Sequence, residues 1–294
     1  MADRTIAKTY AGTPSMDGAG VKLNRVIGHA DVQDLDPFLM LDFFDSRDPE
    51  DYIRGFPWHP HRGIETITYL VDGLLEHGDS LGNKGVIAPA GCQWMTAGSG
   101  IIHQEMPQPA GHMLGAQLWL NLPAAHKMTE PAYRDITEKD LAIYEDDQLL
   151  VKVIAGIFKG KKGPVKGTYV DPMYMDVTVK PGGSFEPELP SDETAFLLLL
   201  EGELQFPDGK AASAEDTRVA LLTNAEQVVI GSEKGARFVF GAGRPLHEPV
   251  AWGGPIVMNT REELSLAFKE LDAGTFIKHN KRATPDDVAK NFYK

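Results

Sequence analysis

The chain has 294 residues, of which 42% are hydrophobic and 24% charged, a balance typical of a globular protein with two domains. Its formal net charge is −13 and its one basic cluster is KGKK at 159–162, so we expect no direct nucleic-acid binding. No stretch of about 20 apolar residues predicts a membrane span. Cys92 is the only cysteine, and the charged segment MADRTIAKTY lacks a secretory pattern, so we expect a cytoplasmic protein.

Short apolar segments, separated by turns rich in glycine and proline, predict β-strands along most of the chain. No GxGxxG or P-loop motif opens a helix, which removes the main support for a nucleotide-binding fold. The pattern therefore favours an all-β sandwich or barrel. The clearest strand segments are ETITYLV (65–71), QLWLNL (117–122), YMDVTV (174–179), TRVALL (217–222) and ARFVFG (236–241).

A pair of histidines in the segment GFPWHPHRGIET (55–66) is the first candidate for a functional site. His59 and His61 are two positions apart, and residues i and i+2 of a strand point to the same face. We therefore expect both imidazoles to project together into a barrel. Glu65 lies on that face by the same alternation, as an alternative metal ligand or as a hydrogen-bond partner of a histidine.

The segment MTAGSGIIHQEMPQ (95–108) repeats this spacing. His103 and Glu105 are again two apart, and Gly98–Gly100 predicts a turn just before their strand. Two strands that each present two ligands can surround one metal ion. Three imidazoles and one carboxylate suit iron, manganese, nickel, copper or zinc, and the lack of a thiolate argues against a structural zinc site.

The two halves of the chain resemble each other. TYLVDGLLEH (68–77) and LLLLEGELQF (197–206) both read as strand, acidic-glycine turn and strand, which predicts two related β-barrels in tandem. When the two glycines are superposed, Glu188–Pro190 falls where His59–His61 stands, and no histidine occurs between residues 126 and 247. We therefore predict a metal-binding domain at 1–140 and a domain without metal ligands at 141–294.

Two helices are predicted near the C-terminus. Thr260 and Glu263 form a capping-box pattern, and Thr284-Pro285 has the form of a second helix start. The first helix carries an apolar stripe at the spacing of an amphipathic helix. The stripe consists of Leu264, Ala267, Phe268 and Leu271.

The remaining histidines and other notable side chains are interpreted as structural or surface residues. Trp94 and Trp119 are expected to pack in the first barrel, and Cys92 to be buried and inert. The histidines without a same-face partner are His29, His77, His112, His126, His247 and His279.

Five segments in order along the chain resemble the pirin family, the bicupin proteins of the cupin superfamily: DPFLMLDFF, HPHRGIET, QWMTAGSGIIHQEM, QLWLNLP and GPIVMNTREEL. The resemblance runs from about residue 20 to 272. It implies two tandem cupin (jelly-roll-like) β-barrels and favours Glu105 over Glu65 as a ligand. Phe43 stands where many relatives have histidine, and we expect it to alter the polarity of the pocket. The implied metal ligands are His59, His61, His103 and Glu105.

The family also implies an ion and a reaction. The expected ion is Fe2+, with manganese, nickel, copper, cobalt and zinc as alternatives. The implied activity is that of a quercetin 2,3-dioxygenase, which cleaves a flavonol with O2, and Glu105 is the expected proton acceptor. The alternative is a redox-sensitive regulatory protein that binds a transcription factor or a metabolic enzyme. A dioxygenase for another cyclic enol is a third reading, and a monomer is expected.

Overall fold

The computed structural model describes residues 2–166 and 169–279. These residues are mostly in β-strands, as predicted, and the helix expected at Thr284-Pro285 lies outside them. No helix in the described ranges is long and apolar enough to cross a membrane.

Between residues 2 and 138 the described chain contains one short α-helix, α1 (Val32–Leu35), and twelve strands whose bounds follow here. The strands are β1 (Ile6–Tyr10), β2 (Thr13–Asp17), β3 (Val21–Ile27), β4 (Phe38–Ser46), β5 (Phe56–His61), β6 (Ile64–Asp72), β7 (Leu74–Asp79), β8 (Lys84–Ile87), β9 (Cys92–Thr96), β10 (Ile101–Gln108), β11 (Met113–Asn121) and β12 (Ala132–Ile136).

The second half adds a longer helix, α2 (Arg261–Asp272), and thirteen strands between the described residues 139 and 279. The strands are β13 (Ala142–Glu145), β14 (Leu149–Ala155), β15 (Ile157–Phe158), β16 (Lys161–Lys162), β17 (Met173–Val179), β18 (Gly183–Phe185), β19 (Thr194–Gln205), β20 (Ala211–Ser213), β21 (Val219–Leu222), β22 (Ile230–Ser232), β23 (Ala236–Gly243), β24 (Ala251–Gly253) and β25 (Ile256–Met258).

The chain forms two compact units. Unit A contains residues 14–30, 38–138 and 247–279 of the described chain. Its larger sheet has the strand order β12-β9-β6-β11-β4-β3-β2, and its smaller sheet has the order β5-β10-β7-β8. The neighbouring strands pair antiparallel. The inner faces of the two sheets touch, because Thr68 on β6 donates a hydrogen bond to Glu105 on β10.

Unit B contains residues 2–13, 31–37 and the described part of 139–246. Its main sheet has the strand order β1-β21-β19-β23-β17-β14-β13. Its core consists of apolar side chains at alternate positions of these strands, because alternate residues of a strand point to the same face. The core includes Leu149, Val151, Val177, Phe185, Leu197, Leu199, Phe238 and Phe240.

Two described segments, one near each end of the chain, depart from the division predicted at residues 140 and 141. Strand β1 pairs with β21 in unit B, where Ile6 lies opposite Leu222. Helix α2 instead packs in unit A, in a cluster with Ile256, Met258 and Phe276. The sequence does not indicate that these two segments belong to different units, because the apolar pattern of a strand or helix does not show which core it packs against.

The predicted turn and cap are present. Gly73 and Gly202, the two glycines of the repeated motif, have φ values of 101° and 78°, which residues other than glycine rarely adopt. Thr260 and Glu263 form the reciprocal hydrogen bonds of a capping box at the start of α2. The apolar stripe is less uniform than predicted, since Phe268 remains 38% exposed.

Candidate metal centre

Two neighbouring strands bring the predicted histidines together. On the edge strand β5, His59 lies directly opposite His103 of β10. Proline is tolerated at Pro57 and Pro60 because an edge strand has unpaired backbone positions. One ring nitrogen from each of His59, His61 and His103 lies within 4.8 Å of the others. The three imidazoles therefore form one cluster, as the same-face spacing predicts.

Backbone carbonyl groups fix the orientation of two of these rings. His59 Nδ1 donates to Pro57 O at 2.8 Å, and His61 Nδ1 donates to Pro255 O at 3.0 Å. A carbonyl oxygen can only accept, so in a neutral ring the Nε2 atom carries the lone pair. Burial lowers the pKa of both rings and so favours their neutral form.

The two Nε2 atoms face each other at 3.1 Å. If each ring keeps its Nδ1 proton, two lone pairs meet at this distance with no proton between them. A cation bound to both atoms removes that repulsion, and neutral imidazole nitrogen is a common metal ligand. The orientation of His59 and His61 thus fits a metal ion.

His103 completes the three-histidine group. It is fully buried, and among the described residues neither of its ring nitrogens has a hydrogen-bond partner. A buried polar atom without a partner destabilises the folded state by about 1–3 kcal/mol. A metal ion bound at one of the two His103 nitrogens would offset this cost. Burial, with the neighbouring His59 and His61, also holds the pKa of His103 well below its usual value. The ring is thereby available as a neutral ligand.

Glu105 lies beside this group but is not one of its three members. Its side chain is buried, with Oε1 accepting from Thr68 Oγ1 at 2.9 Å and Oε2 accepting from Gln117 Nε2 at 2.7 Å. Burial raises the pKa of Glu105, and these two hydrogen bonds act in the opposite direction. Its role as the fourth ligand stays a prediction.

Glu65, the alternative ligand, lies elsewhere. It accepts from Thr96 on β9 and lies 4.0 Å from Arg134, at the opposite face of β6 from Thr68. Gly63, with a φ of 79°, separates β5 from β6, so strand alternation does not continue from His61 to Glu65. The expectation that they share a face is therefore wrong.

A cavity of about 570 Å³ opens onto His59 and His61. Aromatic side chains dominate one part of its lining: Phe56, Trp58, Trp119 and Trp252. The ring of Trp119 meets His61 edge-on with centroids 5.0 Å apart, and Trp252 lies 5.8 Å from Trp119. An aromatic molecule in this cavity would therefore lie next to the histidine cluster.

Polar side chains line another part of the same cavity. Arg25 donates two hydrogen bonds to the buried carboxylate of Asp42, at 2.8 and 2.7 Å. Asp17 accepts from the same guanidinium at 2.7 Å, and exposed His29 lies beside Trp252, with the two rings tilted and their centroids 5.2 Å apart. These groups can hydrogen-bond to the hydroxyl groups of a ligand.

Several lining residues were missed or interpreted differently from the sequence. Trp119 was expected only to pack and His29 to be a surface or structural residue, whereas both line the cavity. Trp252 lies almost 200 residues from His61 in the chain, so no local pattern could indicate it. Phe43 alternates with the lining residue Asp42 on β4 and is absent from the lining, so its expected effect on the pocket is wrong.

Other expectations hold. Cys92 is buried, and burial raises the pKa of its thiol, as expected of an inert side chain. His77 is structural and buried, where it hydrogen-bonds with Tyr133.

Comparison with known proteins defines the class. Residues 20–120 match the family model described as Pirin, and residues 174–277 match that of the Pirin C-terminal cupin domain. The protein is therefore a bicupin with two cupin domains. The chain belongs to the pirin family.

Individual relatives cover nearly the whole chain. "Putative quercetin 2,3-dioxygenase PA3240" of Pseudomonas aeruginosa is 44% identical over 277 residues, which are 92% of this chain and 97% of the relative. A pirin-like protein of Caulobacter vibrioides is also 44% identical, over 93% of this chain and 99% of its own length. The crystal structure of quercetin 2,3-dioxygenase from Acinetobacter baumannii has 30% sequence identity and a TM-score of 0.84, and covers 94% of this chain and 99% of that one.

Proposed function

We propose that this protein is a metal-dependent dioxygenase that cleaves flavonols such as quercetin with O2. In this proposal His59, His61, His103 and Glu105 hold one divalent ion, with Fe2+ as the expected metal. The observation that carries the proposal is a cluster of imidazole lone pairs next to a cavity with aromatic walls. The quercetin dioxygenase names of similar proteins support the same reaction.

The cavity fits a planar aromatic substrate. Its volume of about 570 Å³ lies within the ~300–1,000 Å³ typical of small-molecule sites. Trp119 and Trp252 supply aromatic surface to the cavity, and the Asp42–Arg25 pair offers hydrogen bonds to phenolic hydroxyl groups. A flavonol combines three aromatic or conjugated rings with several such hydroxyls.

The metal ion and the surrounding side chains would have different roles in the reaction. A divalent transition metal at the site would supply Lewis acidity toward the flavonol 3-hydroxyl and electron exchange with O2. Glu105 would accept the proton of that hydroxyl, because it is the one anionic group among the four proposed ligands. His61 and His103 are buried, and in this proposal the central ring opens beside them with loss of carbon monoxide.

Anaerobic reconstitution with Fe2+ tests this function. Quercetin and O2 are then added, and O2 consumption and carbon monoxide release are measured together. We expect equal amounts of each, with turnover lost in Glu105→Ala and retained in Glu76→Gln, which changes an exposed carboxylate of unit A. Protein that binds iron but consumes neither quercetin nor O2 would overturn the proposal and favour the regulatory alternative.

A further inference from the structure

Three side chains form a closed ring of hydrogen bonds beside the histidine cluster. Gln117 Nε2 donates to Glu105 Oε2 at 2.7 Å and to Thr68 Oγ1 at 3.1 Å. The Thr68 hydroxyl in turn donates to Glu105 Oε1 at 2.9 Å. All three side chains are at most 7% exposed. Both carboxylate oxygens are thus held by neutral donors, and the carboxylate cannot rotate without breaking a buried hydrogen bond.

Trp119 determines which way the Gln117 amide faces. Its indole Nε1 lies 3.4 Å from Gln117 Oε1 and can only donate, so Oε1 must face the indole. The other end of the amide, Nε2, then faces Glu105. A long but correctly directed hydrogen bond therefore selects the amide orientation that donates to the carboxylate.

The sheet fixes these residues in place. In the larger sheet of unit A, Gln117 lies opposite Asp42 on one side and opposite Thr68 on the other. Two residues further along the strand, Trp119 lies opposite Met40 on one side and Thr66 on the other. The hydroxyl of Thr66 has no hydrogen-bond partner in the described part of the chain. Gln117 and Thr68, the two donors to Glu105, are therefore cross-strand neighbours, and strand pairing sets the distance between them.

We propose that Thr68 and Gln117 are positioning residues, which hold the Glu105 carboxylate so that its remaining lone pairs serve the metal ion. The inference rests on the proposed ligand role of Glu105 and does not depend on flavonol cleavage. Partners that hydrogen-bond a metal ligand typically change metal affinity by ~10–100-fold when they are removed. Loss of either donor should therefore weaken metal binding and alter the coordination spectrum.

Titration with Co2+ tests the inference, because its visible absorption bands report both affinity and ligand geometry. Thr68→Val keeps the shape of the side chain but removes the donor, and Thr68→Ser restores it. We expect Thr68→Val and Gln117→Leu to lower Co2+ affinity by ~10–100-fold and to shift the bands. Thr68→Ser should bind as the unmodified protein does, as should Thr66→Val, which removes an unpartnered hydroxyl from the same face of the same strand.

A double-mutant cycle separates positioning from a general loss of structure. In a Glu105→Ala background Thr68→Val should cost no further Co2+ affinity, because the carboxylate that it orients is gone. An equal loss in both backgrounds would overturn the inference, as would Thr68→Val and Gln117→Leu proteins that bind Co2+ with unchanged affinity and bands. Circular dichroism confirms folding, and Gln117→Met replaces Gln117→Leu if the latter unfolds. No flavonol enters this assay, so its outcome is independent of the dioxygenase test.

Discussion

Lys127 connects three segments that surround the metal centre, and its removal should change how stability depends on pH. Its ammonium donates to Asn121 Oδ1 at 2.6 Å, to Gly63 O at 2.9 Å and to Val257 O at 3.0 Å. The side chain is 2% exposed, and burial lowers its pKa from 10.5 to about 7. Lys127→Met removes the titrating group and leaves three acceptors without their donor.

The sign of the effect follows from the two pKa values. Below pH 7 the amine is charged in both the folded and the unfolded state, so its titration adds no pH dependence there. Between pH 7 and 10.5 the folded state holds a neutral amine while the unfolded state stays protonated, so the free energy of unfolding rises with pH. At ~1.4 kcal/mol per pH unit, this group contributes a rise of about 2 kcal/mol between pH 7 and 8.5.

Urea unfolding at pH 6.5, 7.5 and 8.5, followed by tryptophan fluorescence, measures this slope. We expect the free energy of unfolding of the unmodified protein, minus that of Lys127→Met, to rise by about 2 kcal/mol from pH 6.5 to 8.5, with most of the rise above pH 7.5. Lys84→Met, at an exposed position of unit A, is the control and should follow the unmodified protein. Parallel pH profiles for the unmodified protein and Lys127→Met would refute the reasoning.

Three further changes test the packing around the site. Arg62→Leu removes a 2%-exposed guanidinium bound to a carboxylate of α2, and urea curves should show a loss of ~1–3 kcal/mol, because the buried carbonyl of Phe276 loses its donor; an unchanged free energy of unfolding contradicts this. Gly63→Ala would place a Cβ 1.9 Å from Val257 O at a φ of 79°, so Tm should fall by at least ~4 °C. Gly111→Ala is the control, because the space around Gly111 is open, and it should leave Tm unchanged. Burial raises the pKa of the Cys92 thiol, so a thiol reagent at pH 8 should react only after unfolding; rapid labelling of native protein argues against it.

The local part of the site could be predicted from the sequence. Two residues of a strand that are two positions apart share a face, so the spacing of His59 with His61 was sufficient to predict that their rings meet, while the part of Glu105 as a ligand stays a prediction. Pairing of β5 with β10 then places His59 opposite His103. The strand segments and the capping box at Thr260 could also be predicted, because each depends on residues that are close together in the chain.

The long-range part of the site could not be predicted. Pro255, whose carbonyl orients His61, and Trp252, which lines the cavity, lie almost 200 residues further along the chain. Glu65 was misplaced because a glycine with positive φ interrupts the strand alternation after His61. Thr68 and Gln117 carried no motif, since their role depends on which strands are neighbours in the sheet.

Metal binding at the three-histidine cluster is tested most directly by anaerobic equilibrium dialysis against Fe2+, followed by measurement of iron per chain. We expect one ion per chain in the unmodified protein and far less than one in His103→Gln, with both proteins folded by circular dichroism. His112→Gln, which changes a histidine paired with Asp45 away from the cluster, should bind one ion. Equal iron content in the unmodified protein and His103→Gln, or none in either, would contradict the assignment of the site.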